Sequence, residues 1–293
     1  MSSYSIKDIE AVSGIKSHTL RIWEQRYKIL SPKRTETNIR FYNDDDLKLI
    51  LNISILNRYG YRISEISKMS FIQINELIQK ISLNKNEFSL QVKSLVQAMM
   101  LFDESNFQKI LNTNIDQSGL EATMVKIVFP FLNEVGVLWQ TGAVQVFHEH
   151  FASNIIKQKI LAQLDKLKVS SSKHQKRFLL FLPTHEQHSI GLTFADYLLR
   201  KNGHRTLYLG REIELTDIKQ LLKTQNFDYV FSILSVSVTE YEKKKFMDNL
   251  VDTCGNCKIL LTGKQLIDFG IHLPETIRLI RSVEEFTSVI ENL

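Results

Sequence analysis

The sequence predicts a multidomain α and α/β protein. Its parts, in order, are an N-terminal winged helix-turn-helix, a four-helix bundle and a C-terminal doubly wound parallel sheet of flavodoxin-like topology. Three observations predict this. Basic residues cluster in the first forty positions around two short helical patterns. Apolar residues then recur at three- and four-residue steps from about 87 to 170. From 177 onward, short strand-like apolar runs alternate with helical ones. The expected segments are 1–75, a linker at 76–86, 87–172 and 173–293.

The chain has 293 residues, enough for two or three modest domains. Apolar content of 43% and charged content of 24% are ordinary for a globular protein. No apolar stretch approaches the roughly 20 residues that cross a bilayer. The start, "MSSYSIKDIE", lacks the apolar centre of a secretory signal. The expectation is a cytoplasmic protein without a membrane partner. The two cysteines, Cys254 and Cys257, rule out a disulfide framework. "CGNC" precedes a strand-like run, whereas redox pairs usually open a helix, and no second ligand pair stands at zinc spacing. A structural turn is the better reading.

Charge is localised. Residues 16–40 hold seven basic against two acidic side chains, a balance that equals the whole chain's +5. Such a patch on an otherwise neutral protein points to a polyanion. Within it, Ile6, Ile9 and Val12 share one face of a short helix, and Ser13-Gly14 is a turn signal. Ser17 is the expected N-cap of "HTLRIWEQRY". On that second helix Leu20, Trp23 and Tyr27 face one way, while His18, Arg21 and Gln25 point elsewhere. A basic second helix after a glycine turn suits a major groove. "LSPKRTETNIRFY" follows as a hairpin with its tip at Thr37-Asn38 and Arg34 and Arg40 on its arms, placed to meet phosphates. A helical domain with a solvated basic face is the bland alternative.

These residues resemble the DNA-binding domain of MerR-family transcription regulators. The resemblance covers about 4–70 and rests on the Arg- and aromatic-rich second helix and on a wing ending in Arg-x-Tyr, here Arg40 and Tyr42. It implies binding of double-stranded promoter DNA by a dimer or tetramer, with Lys16, His18, Arg21, Arg26, Arg34, Arg40 and Tyr42 as DNA-binding residues.

Residues 71–85 are polar and read as the end of the first domain plus linker. Four helical runs follow, joined by short loops as in an up-down bundle. Trp139 lies near the end of the third, Thr141-Gly142 breaks it, and Glu149-His150 lie in the fourth. Taken alone, the Trp reads as core and the Glu-His pair as solvated.

The last third reads as five strands, "RFLLFL", "RTLYLG", "YVFSIL", "KILLT" and "IRLI". Helices fall at about 191–202, 214–224, 239–253, 264–269 and 283–292. Ligands of such sheets bind beyond the strands' carboxyl ends, near the topological switch point. "PTHEQHSIG" follows the first strand and so lies there. One imidazole on a loop, its tautomer fixed by a neighbouring carboxylate, suits a metal already held in a macrocycle. Gly191 leaves room for a bulky ligand at the helix start.

Glu186-x-His188-x-x-Gly191 resembles the Asp/Glu-x-His-x-x-Gly motif of cobalamin-binding domains. The resemblance implies His188 as the lower cobalt ligand, Ser235 and Ser237 as contacts to the cofactor's nucleotide tail, and Gly263 as the match to a Gly-Gly pair. Thr262 replaces that pair's first glycine and crowds the tail channel. Trp139, nine residues, then Glu149-His150 resembles the helical cap of CarH/LitR-type regulators, in which these side chains cover adenosylcobalamin. Gln140 stands where that family often has a cobalt-ligating histidine, and His148 and His150 are the candidates to replace it. The resemblance implies an adenosylcobalamin-dependent, light-responsive repressor and no enzyme. Two alternatives are a regulator with a cofactor-free sensor and a cobalamin-dependent methyltransferase or mutase subunit.

Overall fold

The computed structural model describes residues 4–30, 32–35, 38–82, 88–140, 142–167, 175–235, 239–267 and 273–293. They form two compact units, Met1–Ile156 and Lys157–Leu293. The first unit joins what the sequence reading separated. The helix Asp44–Arg58 of its N-terminal part packs on the helix Phe88–Met100 of its bundle, where the buried Gln97 donates to the buried Asn52 at 2.8 Å.

The N-terminal part begins with α1 (Ile6–Ser13), stopped by Gly14 at φ 73°, and α2 (Ser17–Tyr27). The N-cap of α2 is Lys16, not Ser17. One orphan donor at that end is met by α1 instead, because the Glu10 carboxylate accepts from Ser17 N at 3.0 Å and also from Ser17 Oγ. The Ser17 hydroxyl, aided by Lys16, brings the Glu10 carboxyl down to about 2. Strands β1 (Lys33–Arg34) and β2 (Arg40–Phe41) form an antiparallel hairpin, and an isolated bridge joins Tyr42 to Tyr4. Helix α3 (Asp44–Arg58) starts from a capping box of Asn43 and Asp46. A short α4 (Ile63–Ile66) and α5 (Phe71–Ser82) follow. The expected polar linker is therefore helical through Ser82. Its apolar residues Ile74 and Ile78 recur at a helical step and are buried; the rest of the expected linker, 83–86, lies outside the described residues.

The bundle comprises α6 (Phe88–Met100), α7 (Glu104–Thr123), one π-helical turn (Met124–Val128), α8 (Phe129–Gln140) and α9 (Val146–Asp165). Gly119, at φ 80° and ψ 166°, breaks α7, so four rods result as expected. The run Glu104–Gln140 holds an 18-residue window of mean hydropathy 1.3. That corrects the expectation that no apolar stretch approaches membrane-spanning length. Among its apolar side chains, Phe107, Leu111, Leu120, Met124, Ile127 and Phe131 are buried, with Phe107 edge-on to Phe131 at 5.5 Å.

The second unit alternates β3 (Arg177–Pro183), α10 (Ser189–Lys201), β4 (Arg205–Ile213), α11 (Leu215–Thr224), β5 (Tyr229–Ile233), α12 (Glu240–Cys254), β6 (Lys258–Thr262), α13 (Lys264–Ile267), β7 (Ile277–Leu279) and α14 (Val283–Glu291). All pairings are parallel, in the order β4-β3-β5-β6-β7. This is the flavodoxin-like arrangement. The chain leaves β3 toward β4 on one side and returns to β5 on the other, so the switch point lies between β3 and β5. All residues of β5 and all but the first of β3 are buried, as central parallel strands require.

Candidate functional site

On α2 the structure places Leu20 and Trp23 inside and His18, Arg21, Gln25 and Arg26 outside, with Lys16 exposed just before the helix. Arg34 is exposed on the hairpin, where its Nη1 donates to Asn38 Oδ1 at 2.7 Å across the turn. Asn38 takes the left-handed conformation at φ 63°; Thr37 lies outside the described residues. Arg40 differs from its neighbours. Its Nε and Nη2 donate to Glu24 at 2.9 and 3.4 Å, which ties hairpin to α2 and raises the guanidinium pKa. Tyr42 is 1% exposed. Its ring belongs to the core beneath the hairpin, which corrects its place among residues touching DNA: burial denies it contact.

Near the end of the bundle's third rod stands Trp139, which is 46% exposed although sequence alone favours a core role. Its carbonyl accepts from Gly142 N at 3.0 Å, and Gly142 turns the chain at φ 77°. Glu149 and His150 lie in the first turns of α9, the first half-buried and the second exposed, with His150 Nε2 3.6 Å from Glu149 Oε2. Beside them Val146 and Phe147 are also exposed. This face is apolar and aromatic with one carboxylate and one imidazole. His148 points the other way. It is 4% exposed, stacked on Phe102 at 5.0 Å, and its Nδ1 accepts from Gln145 N at 3.1 Å. Burial lowers its pKa. It is a core residue and no candidate to ligate cobalt.

In the second unit the loop after β3 crosses the switch point. Glu186 is fully buried. One oxygen accepts from His188 Nδ1 at 2.5 Å and His188 N at 2.9 Å; the other accepts from Ser235 N, beyond β5, at 2.6 Å. Burial alone would push this carboxyl up, but those bonds, led by the imidazole, hold it below its ordinary value. It is thus an anion that fixes the Nδ1–H tautomer and leaves the lone pair on Nε2. The His188 side chain is 65% exposed. Gln187 fastens the same loop to β4, accepting from Arg211 at 2.8 Å and donating to Glu212 at 3.2 Å. A single oriented imidazole fits a metal whose other positions are filled by a macrocycle. Among the described residues no group of three or more His, Cys, Asp or Glu gathers to hold a bare ion.

Two glycines permit close packing within the fold. A Cβ on Gly191 would lie 2.9 Å from Ile233 Cδ1, so the absent side chain lets α10 close on β5; the room expected there is filled. At Gly263, φ is 133° and a Cβ would lie 2.1 Å from Leu234 O. The main chain beyond β5 occupies that space. The Thr262 hydroxyl turns to Ile280 O at 2.7 Å and joins β6 to the end of β7. Ser235 contributes its main-chain N–H; Ser237 lies outside the described residues. Cys254 is buried, its thiol pushed up to about 12 by desolvation, and Cys257 Sγ donates to Phe227 O, in keeping with a structural turn.

Sequence reasoning missed the Glu10, Glu24 and Gln97 contacts, since each joins residues whose proximity only the fold creates. It also missed a cavity of about 360 Å³ between α3 and α6–α7, lined in part by Asn52, Gln91, Ser94 and Gln97 and by none of the expected site residues.

Residues 4–70 match the family model of MerR HTH family regulatory proteins, and residues 91–162, the bundle, match that of the B12 binding domain. The chain is 24% identical over 249 residues to the HTH-type transcriptional repressor CarH of Myxococcus xanthus, covering 82% of each. It is 26% identical over 209 residues to the repressor CarA of the same organism, covering 71% of this chain and 68% of that one. The monomethylamine corrinoid protein of Methanosarcina barkeri shares the fold, with a TM-score of 0.50 and 13% identity over 68% of this chain and 95% of that one.

Proposed function

We propose, from the premise that the chain joins a MerR-type helix-turn-helix to a B12-binding domain, a cobalamin-dependent transcriptional regulator that represses by binding promoter DNA in the cytoplasm. The observation that carries the cofactor reading is the Glu186 anion, which orients His188 at the switch point of a flavodoxin-like sheet. His188 would hold cobalt through Nε2, with Glu186 holding the tautomer and Ser235 holding Glu186. Trp139, Glu149 and His150 would contact the bound group. In its adenosyl form the cofactor would supply a light-sensitive cobalt–carbon bond.

The protein's own part is packing and charge. Exposed Trp139, Val146 and Phe147 gain by burial against a bound group and lose that gain when it leaves. The bound form would favour a homo-oligomer, dimer or tetramer, whose several α2 helices and hairpins bind DNA with avidity, and loss of the adenosyl group would disfavour it. Arg21, Arg26, Lys16 and Arg34 supply exposed positive charge for phosphates, with His18 beside them.

A cofactor-free sensor is the second reading, favoured by the Leu234 main chain packed against Gly263. Absorption spectra decide. The chain is mixed with adenosylcobalamin in the dark, then illuminated with green light, with promoter binding and sedimentation followed in parallel. A bound spectrum that His188→Ala abolishes, and DNA binding that light reverses, support the proposal. A chain that leaves the cofactor free supports the second reading.

A further inference from the structure

Ile22 is 50% exposed in the middle of α2. It stands in a helical row with His18 at i−4 and Arg26 at i+4, and beside Gln25 at i+3. The core has no need of it: Leu20, 0% exposed, and Trp23, 8% exposed, fill the inward face. Helix propensity does not explain it either, since a β-branched residue is a poorer helix former than the Lys, Arg or Gln around it. A second aliphatic side chain, Ile39, is 62% exposed on the hairpin, so both elements that carry the basic patch also show bare hydrocarbon. The major groove offers hydrocarbon at one base, the 5-methyl group of thymine.

We infer that Ile22 reads a thymine methyl in the major groove and so sets part of the operator sequence. The inference rests on the proposed reading of α2 as the DNA-reading helix. Arg21 and Arg26 hold the helix on phosphates without regard to sequence, and Ile22 gains only where a methyl group meets it. The gain from burying one methyl group corresponds to about fourfold in affinity.

The test starts from duplexes selected from a random pool by the full chain, with and without adenosylcobalamin in the dark. Each thymine of the selected site is replaced by uracil, which lacks only the methyl group. One position per half-site should weaken wild-type binding about fourfold. Ile22→Ala, shown folded by circular dichroism, should bind the thymine duplex about fourfold more weakly and be indifferent to uracil there. Equal losses for wild type and Ile22→Ala at every thymine overturn the inference. A selected site at which no uracil matters also overturns it, and leaves DNA binding by α2 intact. If Arg21→Ala selects and binds the same site as tightly as wild type, the reading of α2 fails instead, and the inference falls with it.

Discussion

The Glu186 carboxylate lies 2.5 Å from His188 Nδ1 and is itself wholly buried. A buried anion is costly unless its hydrogen bonds are complete, so the pair persists because Ser235 N and His188 N also donate to it. Glu186→Gln keeps the shape and removes the charge. An amide NH2 then meets donors, and the ring loses its fixed tautomer. Cobalamin affinity should fall about 10–100-fold, read by absorbance titration in the dark, while His188→Ala should bind more weakly still. Equal affinity for Glu186→Gln and wild type would remove the carboxylate from the site.

The same pair predicts a pH dependence. The Glu186 pKa in the folded chain is below its ordinary 4.5. A depressed carboxyl contributes stability that is fully present above 4.5 and is lost as pH falls from there through the folded value. By calorimetry the wild type should therefore melt higher than Glu186→Gln at pH 7, and the gap should narrow only below about pH 4.5. A gap that closes between pH 7 and 5 would mean that the Glu186 carboxyl does not carry the difference.

Periodicity made the order of elements legible, because strands in this sheet are short apolar runs and the helices that cover it are amphipathic. The turns at Gly14 and Gly142 were legible for the same local reason. What escaped was tertiary. Tyr42 carries the expected Arg-x-Tyr ending, yet only the fold shows its ring inside. Arg40 looks like its neighbour Arg34 in sequence, but Glu24 sixteen residues earlier claims it. Thr262 read as an obstruction, and the structure turns its hydroxyl to Ile280 O instead. His148 sits two residues from exposed His150 and is still core, since α9 puts the two on different faces.

Arg21 and Arg40 should therefore fail differently. Arg21→Ala removes an exposed charge. It should reduce the slope of log affinity against log salt by about 1 and leave unfolding unchanged. Arg40→Ala breaks a two-bond ion pair whose side chains are 23% and 19% exposed, so it should also cost about 1 kcal/mol of stability. Filter binding across salt concentrations and urea unfolding separate the two. A stability loss in Arg21→Ala matching that of Arg40→Ala would show that its charge is structural as well.

Gly191 and Gly263 make opposite predictions for the same substitution. At Gly263 an added Cβ would overlap the Leu234 carbonyl at 2.1 Å, and φ 133° strains any side chain there. Main chain cannot step aside as a side chain can. Gly263→Ala should thus cost on the order of 3 kcal/mol or more and loosen β5 against β6. Gly191 sits in α10, where alanine is the better helix former by about 1 kcal/mol. Its clash is with the far end of Ile233, which can rotate, so overpacking of similar size offsets the gain. Gly191→Ala should change stability by less than about 1 kcal/mol. Hydrogen exchange on β5 and β6 peptides reads both. Unchanged protection in Gly263→Ala would mean that β6 can end elsewhere, and that the space beside it is open to a ligand after all.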